Sequence, residues 1–235
     1  MNETKVKTYI VAGCRPWNRR VYNEIIKTFA GEWTFVSSKV ELIAALQEAT
    51  NPRYIFFLHW NWIVPESLLN KHDCVCFHMA DVPYARGGSP LQNLIVRGHR
   101  QTKLTALQMV RELDAGPVYQ KRDLCIEGNA EEVYIRATYL AAEMIQYMIA
   151  NEPTPEPQSG LVVEFPRRKP VESEVPELPS LLKLYDFIRM LDADGYPPAF
   201  LPHAGFRYEF KRATLYDGRV VADVTITPIT EQGEK

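Results

Sequence analysis

The pattern that most constrains the fold of this chain is the alternation of short apolar runs with helix-like segments over its first eighty residues. Residues 8–12, 33–36 and 54–58 are typical of β-strands, and the last run is continuously apolar, as expected of a strand covered on both faces. Helix-like segments follow the first two runs, over residues 18–29 and 40–49. Because strands that alternate with helices form right-handed βαβ units, the sequence predicts a mostly parallel sheet.

The second half of the chain continues this pattern and then changes in character. A short helix at residues 91–97, strands at 102–110 and 118–126, and a long helix at 130–150 are predicted, the last beginning with a capping box of Asn129 and Glu132. Residues 151–160 are rich in proline and glutamate, which indicates a domain edge. A helix at 180–191 and a β-hairpin around residues 216–219 follow. We predict an α/β, Rossmann-like main domain over residues 1–155 and a small C-terminal module with a helix and a β-hairpin over 156–235.

Composition excludes several classes of partner. The 235 residues carry a formal net charge of −2, with lysine and arginine scattered along the chain, so we expect no nucleic-acid partner. No apolar stretch is long enough to span a bilayer, and the polar start leads directly into a strand. We therefore expect a cytoplasmic protein without a membrane partner, whose four cysteines are free thiols.

His78 is the first candidate functional residue. It ends the apolar, strand-like run 74–78, and ligands of such sheets bind outside the carboxyl ends of the strands. The segment that follows supplies a fixed cation, Arg86, beside the permissive backbone of Gly87 and Gly88. A histidine placed there can act as a base, as an acid or as a hydrogen-bond donor to a developing charge.

Histidines and cysteines recur at every second position from residue 72 to residue 78, which invites a zinc interpretation. Neighbours on one face of a strand are about 6.6 Å apart. Four ligands spread along such a line cannot each lie roughly 2.0–2.3 Å from one zinc ion. We therefore predict no metal site, and Cys76 and His78 on one face of a strand.

Asp114 is the natural partner of His78. It lies in a turn that Gly116 and Pro117 bend sharply. An aspartate there either turns the chain or, if His78 is near, shares a proton with the imidazole through water and orients it.

Residues 74–118 resemble the catalytic core of the 10-formyltetrahydrofolate-dependent formyltransferases. His78 falls on the family's histidine, Pro83 on its proline, Arg86 and Gly87 on its Arg-Gly pair, and Asp114 on its aspartate. The resemblance implies an N-formyltransferase that uses 10-formyltetrahydrofolate as co-substrate, with His78 and Asp114 as catalytic residues and without a metal. The stretch 55–65 is similar to the family's pterin-binding strand and loop. The candidate folate contacts are Trp62, Ile63, Val64, Arg86, Gly87 and Gly88.

Cys76 departs from the family, which carries an asparagine two residues before the histidine. That carboxamide helps to stabilise the oxyanion, and a thiol is a much weaker donor. Loss of one such donor costs on the order of 100-fold to 1000-fold in rate. Asn61 or another side chain replaces it, or His78 carries more of the catalysis, or the chain is an impaired binder of folate or nucleotide sugar. A fourth interpretation makes Cys76 a nucleophile with His78 as base, but parallel side chains on one strand suit it poorly.

A basic loop at residues 165–169, an Ile-Arg pair in the helix segment 187–189 and an aromatic loop at 196–200 follow the core, and together they resemble the sugar N-formyltransferases. The resemblance implies a nucleotide-linked amino sugar, carrying UDP or dTDP, as acceptor for surface polysaccharide and lipopolysaccharide synthesis, and a possible homodimer. A methionyl-tRNA formyltransferase is expected to have a larger C-terminal domain and a basic face. The candidate acceptor contacts are Arg167, Arg168 and Lys169, for a diphosphate, and Tyr196 and Phe200, for a base. The alternative is that the cations are solvated and the aromatic rings only close the small core.

Overall fold

The central sheet of the protein is built by the first half of the chain. The computed structural model describes residues 6–48 and 51–229. Its elements up to residue 125 are β1 (Thr8–Gly13), α1 (Pro16–Glu24), β2 (Glu32–Val36), α2 (Lys39–Glu48), β3 (Tyr54–Leu58), α3 (Glu66–Leu69), β4 (Cys74–His78), β5 (Arg86–Gly87), α4 (Pro90–Val96), β6 (Gln101–Gln108) and β7 (Val118–Cys125).

Six of these strands form one sheet in the order β2-β1-β3-β4-β6-β7. The pairs β1–β2, β1–β3 and β3–β4 are parallel, whereas β4 and β6 are antiparallel. All five residues of β3 are buried, as the continuous apolar run predicts for a strand in the middle of a sheet. The predicted α/β fold with a mostly parallel sheet is therefore confirmed. The parallel order brings the carboxyl ends of β1, β3 and β4 to one edge.

The starts of two helices can be compared with the predicted segments. Asn129 and Glu132 form the predicted capping box at the start of α5 (Ala130–Asn151), each side chain bonding the other residue's backbone N–H. The first helix begins earlier than predicted, at Pro16. Asn18 lies inside it, and its carboxamide accepts from the Arg15 backbone N–H instead of capping from outside. Proline at the first helical position, with its preset φ, accounts for the earlier start.

The chain divides into two compact units that are not contiguous in sequence. The first comprises residues up to 87, 102–124 and 135–164; the second comprises 88–101, 125–134 and residues from 165 onward. The predicted boundary near residue 155 stays a prediction. The remaining elements are β8 (Glu164–Phe165), α6 (Leu181–Arg189), β9 (Ala199–His203), β10 (Phe206–Tyr216) and β11 (Arg219–Pro228).

The second unit contains the predicted helix and hairpin together with an additional strand. Strands β11, β10 and β9 form an antiparallel sheet in that order, and β9 was not among the predicted strands. Helix α6 is anchored by Arg189, a fully buried cation. Its Nε donates to Asp186 at 2.7 Å, and its Nη1 donates to the carbonyls of Ile126 and Gly128 at 2.7 and 2.8 Å.

Candidate functional site

His78 lies at the carboxyl end of β4, in the interior of the sheet of the first unit. Its backbone is opposite Thr105 of β6, and its side chain is only 8% exposed. The Thr105 hydroxyl donates to the Ala80 carbonyl at 2.7 Å, which fixes the chain directly after the histidine. The strand therefore presents a buried imidazole at the edge where ligands of such sheets bind.

The two ring nitrogens of His78 have different surroundings. Nε2 lies 2.8 Å from the Ala85 carbonyl oxygen. Because a carbonyl oxygen only accepts, Nε2 carries the hydrogen in this contact. Nδ1 faces Asp114 Oδ2 at 3.5 Å, which is too long for a direct hydrogen bond but close enough for strong attraction to a protonated ring. The ring is thus oriented so that Nδ1 holds the lone pair and faces a carboxylate.

Asp114 lies in the turn between β6 and β7, and the structure brings it to His78 as predicted. Its φ is 54°, in the left-handed region, and its side chain is 10% exposed. Oδ2 also accepts from the Gly87 backbone N–H at 3.0 Å. Ala85, whose carbonyl holds the other side of the imidazole, has a φ of 62°. Strained backbone of this kind is concentrated at functional sites.

Gln158 joins the site from the segment interpreted above only as a domain edge. Its Nε2 donates to the carbonyls of Asp114 and Gly116 at 2.8 and 2.7 Å. Its Oε1 accepts from Arg86 Nε and Nη2 at 3.0 and 2.8 Å. Sequence reasoning missed this residue, because its partners lie 42 to 72 positions away and no local pattern marks them.

Cys76 lies two residues before His78 on β4, and its thiol belongs to an apolar environment. It packs against the buried cluster on one side of the sheet that includes Ile10, Phe57 and Val64. Burial, and after it the charge of Asp114, raises the pKa of the Cys76 thiol above its ordinary value. The thiol is therefore protonated at neutral pH, which disfavours a nucleophilic role.

The loop after β3 carries the candidate folate contacts Trp62, Ile63 and Val64. Val64 is buried, Trp62 is 36% exposed and Ile63 is 93% exposed. Trp62 packs edge-on against Trp60 with ring centroids 4.8 Å apart. Asn61, in the same loop, is exposed. That Asn61 replaces the family's asparagine stays a prediction.

His59, directly after β3, is a second imidazole of the first unit and is half-buried. Its φ is 50°, and its carbonyl accepts from the Cys14 thiol at 2.7 Å. Burial, and then the charge of Arg15, lowers the pKa of His59 to about 3. His59 is therefore neutral near pH 7 and is not a source of positive charge at this edge.

The remaining candidates belong to the second unit. Gly88 approaches the backbone of Arg167 so closely that a Cβ at residue 88 would lie 2.4 Å from its Cα. The Arg168 backbone N–H donates to the Ser89 hydroxyl at 3.2 Å, while Arg167 and Lys169 are exposed.

The two aromatic candidates take part in packing. Phe200 is 7% exposed and lies under the Arg207 guanidinium, 3.3 Å from its ring centroid. Tyr196 stacks on Tyr134 at 5.4 Å. These contacts favour the alternative that both rings close the small core.

Two kinds of feature are absent from residues 6–48 and 51–229. No three His, Cys, Asp or Glu side chains there are grouped so that they could hold a metal ion. None of the helices is at once long and apolar enough to cross a bilayer.

Comparison with known proteins identifies the family. Residues 170–227 match the family model described as methionyl-tRNA formyltransferase, C-terminal domain. A structure of a methionyl-tRNA formyltransferase from Clostridium thermocellum is 39% identical, with a TM-score of 0.89, and the match covers 95% of this chain and 100% of that one. The methionyl-tRNA formyltransferase of Thermodesulfovibrio yellowstonii is 27% identical over 150 residues, 60% of this chain and 49% of that protein. The chain spans about half or less of the length of the curated relatives it matches here.

More distant structures share the fold. HypX from Aquifex aeolicus, solved in complex with tetrahydrofolic acid, is 19% identical with a TM-score of 0.67, over 87% of this chain and 37% of that one. A sugar N-formyltransferase from Shewanella sp. FDAARGOS_354 is 13% identical with a TM-score of 0.63, over 96% of this chain and 99% of that one. The similarity to sugar N-formyltransferases is thus one of fold, whereas the methionyl-tRNA formyltransferase from Clostridium thermocellum matches in both sequence and structure. The chain belongs to the formyltransferase family.

Proposed function

We propose that this protein is an N-formyltransferase that moves a formyl group from 10-formyltetrahydrofolate to a primary amine. The observation that carries the proposal is the orientation of His78, whose Nε2 is engaged by the Ala85 carbonyl while Nδ1 faces Asp114 at 3.5 Å. A buried imidazole with a free lone pair beside a carboxylate is suited to accept a proton from an attacking amine.

His78 and Asp114 have separate roles in this proposal. The amine nitrogen attacks the formyl carbon, and Nδ1 of His78 takes the proton that the amine loses. Asp114 stabilises the imidazolium that results, and the Gly87 N–H holds the carboxylate in place. The proton then passes to the nitrogen whose bond to the formyl carbon breaks, so His78 returns to its neutral form. Holding both reactants in line supplies much of the rate by proximity.

The loop after β3 fits a folate. Trp62 and Ile63 present exposed apolar surface directly after a buried strand, and such surface is what a flat, partly apolar ring would cover. Val64, buried behind them, would fix the loop backbone for contacts to the ring edge. The bound folate supplies an activated formyl group, and Arg86 and Gly87 are the further candidates for holding it.

Cys76 leaves the formyl oxygen with a weaker donor than the family's asparagine. Because its thiol stays protonated, Cys76 can offer only a weak S–H hydrogen bond to the charge that develops there. We propose that His78 carries more of the catalysis in this chain than in a relative that has the asparagine.

Methionyl-tRNA is one candidate acceptor. The observation that favours it is the 39% identity to the Clostridium thermocellum structure of that name, over 95% of this chain and all of that one, together with the matching family model at residues 170–227. Formylation would then occur on the methionyl α-amine.

A nucleotide-linked amino sugar is the other candidate. The observation that favours it is the charge of the chain, −2 overall with acidic and basic residues interleaved, because a tRNA partner requires an extended basic surface. Arg167 and Lys169 are exposed cations that would suffice for one diphosphate.

The test offers the purified protein 10-formyltetrahydrofolate with either methionyl-tRNA or a panel of UDP- and dTDP-linked amino sugars, and follows the release of tetrahydrofolate. We expect turnover with one acceptor class, and loss of that turnover in His78→Ala. No turnover with any amine, or an unchanged turnover number in His78→Ala, would contradict the proposed function.

A further inference from the structure

We propose that Gln158 is a positioning residue that fixes the Asp114 turn to the Arg86–Gly87 segment and so keeps the Asp114 carboxylate at His78. The proposal rests on the formyl transfer proposed above and adds a residue to the machinery of that site. The side chain of Gln158 bonds to Arg86 and to the main chain of Asp114 and Gly116, so its effect on His78 is exerted through these residues.

The carboxamide of Gln158 makes four hydrogen bonds, which uses its full capacity. Both amide hydrogens are donated to main-chain carbonyls of one turn, those of Asp114 and Gly116, and the amide oxygen accepts twice from the Arg86 guanidinium. A carboxamide is the only uncharged side-chain group that both donates two hydrogens and accepts at a separate atom. This pattern indicates a bridge between two loops, since a surface glutamine is ordinarily solvated.

The backbone that carries Gln158 is fixed independently. Val118, the first residue of β7, and Glu156 exchange two backbone hydrogen bonds of 2.7 and 2.9 Å in antiparallel fashion. Glu156, two residues before Gln158, is therefore paired with the edge strand β7 of the sheet. Residues 151–160, predicted as a domain edge, therefore belong to the first unit.

The backbone of the Asp114 turn is strained and crowded. Asp114 has a φ of 54°, a conformation that residues with a Cβ rarely adopt, and Gly116 follows where a Cβ would lie 1.8 Å from the Gln108 carbonyl oxygen. The two carbonyls bound by Gln158 flank this bend. External hydrogen bonds to both are a means of holding a strained turn in one conformation.

The Gln158 bridge and the Gly87 contact together tie Asp114 to the Arg86–Gly87 segment at two points. On one side, Gly87 N–H donates to Asp114 Oδ2; on the other, Arg86 reaches the Asp114 backbone through Gln158. Adjacent residues of one segment thus hold both the side chain and the main chain of Asp114. With one of the two ties removed, the carboxylate could swing away from Nδ1 of His78.

Two variants separate the donor half of the carboxamide from its acceptor half. Gln158→Glu keeps an oxygen for Arg86 but places an oxygen against the Asp114 and Gly116 carbonyls. Gln158→Met removes all four hydrogen bonds at similar length. Gln47→Glu and Gln47→Met, at an exposed position of α2, are the matched controls.

Two measurements are made on each purified protein. Steady-state kinetics with the acceptor that the wild type uses give kcat, its pH profile and KM for 10-formyltetrahydrofolate. Nitrogen-15 NMR of the His78 ring nitrogens, without any substrate, reports the surroundings of Nδ1 independently of activity.

We expect both Gln158 variants to lower kcat by about 10-fold to 100-fold, with KM for the folate changed less than about 3-fold and the pH profile displaced, because misplaced catalytic groups cost rate rather than binding. The His78 ring signals should move in both Gln158 variants and stay in place in both Gln47 variants.

Wild-type kcat and unmoved ring signals in Gln158→Glu would overturn the proposal. Loss of activity in Gln158→Met alone would also overturn it, since Gln158 would then act only by holding Arg86. A wild type without any formyl transfer would contradict the proposed function instead, and the ring signals would still decide whether Gln158 positions Asp114.

Discussion

Asp114 Oδ2 lies 3.5 Å from His78 Nδ1, at the end of β4, and 3.0 Å from the Gly87 backbone nitrogen of β5, so one carboxylate oxygen faces both groups. The two residues come from opposite sides of an antiparallel pair, β4 and β6, with Asp114 in the turn that follows β6. Because the carboxylate faces the imidazole, a substitution that removes the charge of Asp114 but keeps its shape tests the role of this residue.

Asp114→Asn keeps an oxygen for the Gly87 N–H but removes the negative charge beside His78. Because the imidazolium then loses its counter-charge, we expect kcat to fall by about 100-fold to 10,000-fold, the range of a proton-transfer contribution. The measurement is kcat with the accepted amine, and Asp217→Asn, in the exposed hairpin turn, is the control. Wild-type kcat in Asp114→Asn would show that the residue only turns the chain.

Cys76→Asn restores the residue that the family carries at this position. The carboxamide is a stronger donor to a developing oxyanion than the protonated thiol, so we expect kcat to be equal to or higher than that of the wild type, by up to about 100-fold. The measurement is kcat at saturating acceptor.

Cys76→Ser is the matched variant for the nucleophile alternative. A thiolate nucleophile predicts that both Cys76→Ser and Cys76→Asn are inactive, whereas the donor interpretation predicts activity in both. Loss of activity in Cys76→Asn with retained folding would contradict the donor interpretation.

The sheet was predictable because its signals are local. The apolar runs of β1 and β3 and the capping box of Asn129 and Glu132 each depend on residues within a few positions of one another. The antiparallel insertion of β6 beside β4 was not predictable in this way. Pairing between distant strands is decided by packing, and an isolated run of eight residues carries no signal of its neighbour.

The residues of the candidate site likewise divide into those with a local sequence signal and those without one. His78 stands at the end of an apolar run and Asp114 beside a Gly-Pro turn, so both were visible as residues to consider. Gln158 was not, because a glutamine in a segment rich in proline and glutamate has the composition of a linker, and only the fold places it against Asp114 and Arg86. Phe200 was interpreted either as a ligand contact or as part of the small core, and its burial in the fold favours the second interpretation.

Gly116→Ala should disturb the turn that carries Asp114. A Cβ at residue 116 would lie 1.8 Å from the Gln108 carbonyl oxygen, and a backbone atom cannot be displaced as a flexible side chain can. We expect a loss of stability of roughly 1–3 kcal/mol, the usual cost of overpacking, and a fall in kcat as Asp114 moves. The measurements are the urea midpoint and kcat.

Gly205→Ala provides the control for this substitution. Its Cβ would have no atom within 4 Å, so only the left-handed φ of 80° opposes it, at a cost of about 1–2 kcal/mol. Because the two variants are expected to lose similar stability, a fall in kcat in Gly116→Ala alone is attributed to the Asp114 turn. An equal kcat in the two variants would contradict the placement of Gly116 in the turn that supports catalysis.

His59 should make stability depend on pH below neutrality. Burial and the charge of Arg15 lower its pKa from 6.5 to about 3, so between these values the unfolded chain binds a proton that the folded chain excludes. The contribution of His59 to the free energy of unfolding is fully present above about pH 6.5 and is lost as pH falls, with a slope of at most about 1.4 kcal/mol per pH unit.

His59→Asn accepts the left-handed backbone and removes the titrating group, so the stability of this variant should fall less steeply between pH 7 and 5. Urea unfolding at several pH values measures the difference, with His203→Asn, at an exposed position of β9, as control. Equal slopes for the wild type and His59→Asn would show that the folded state does not exclude the proton from His59.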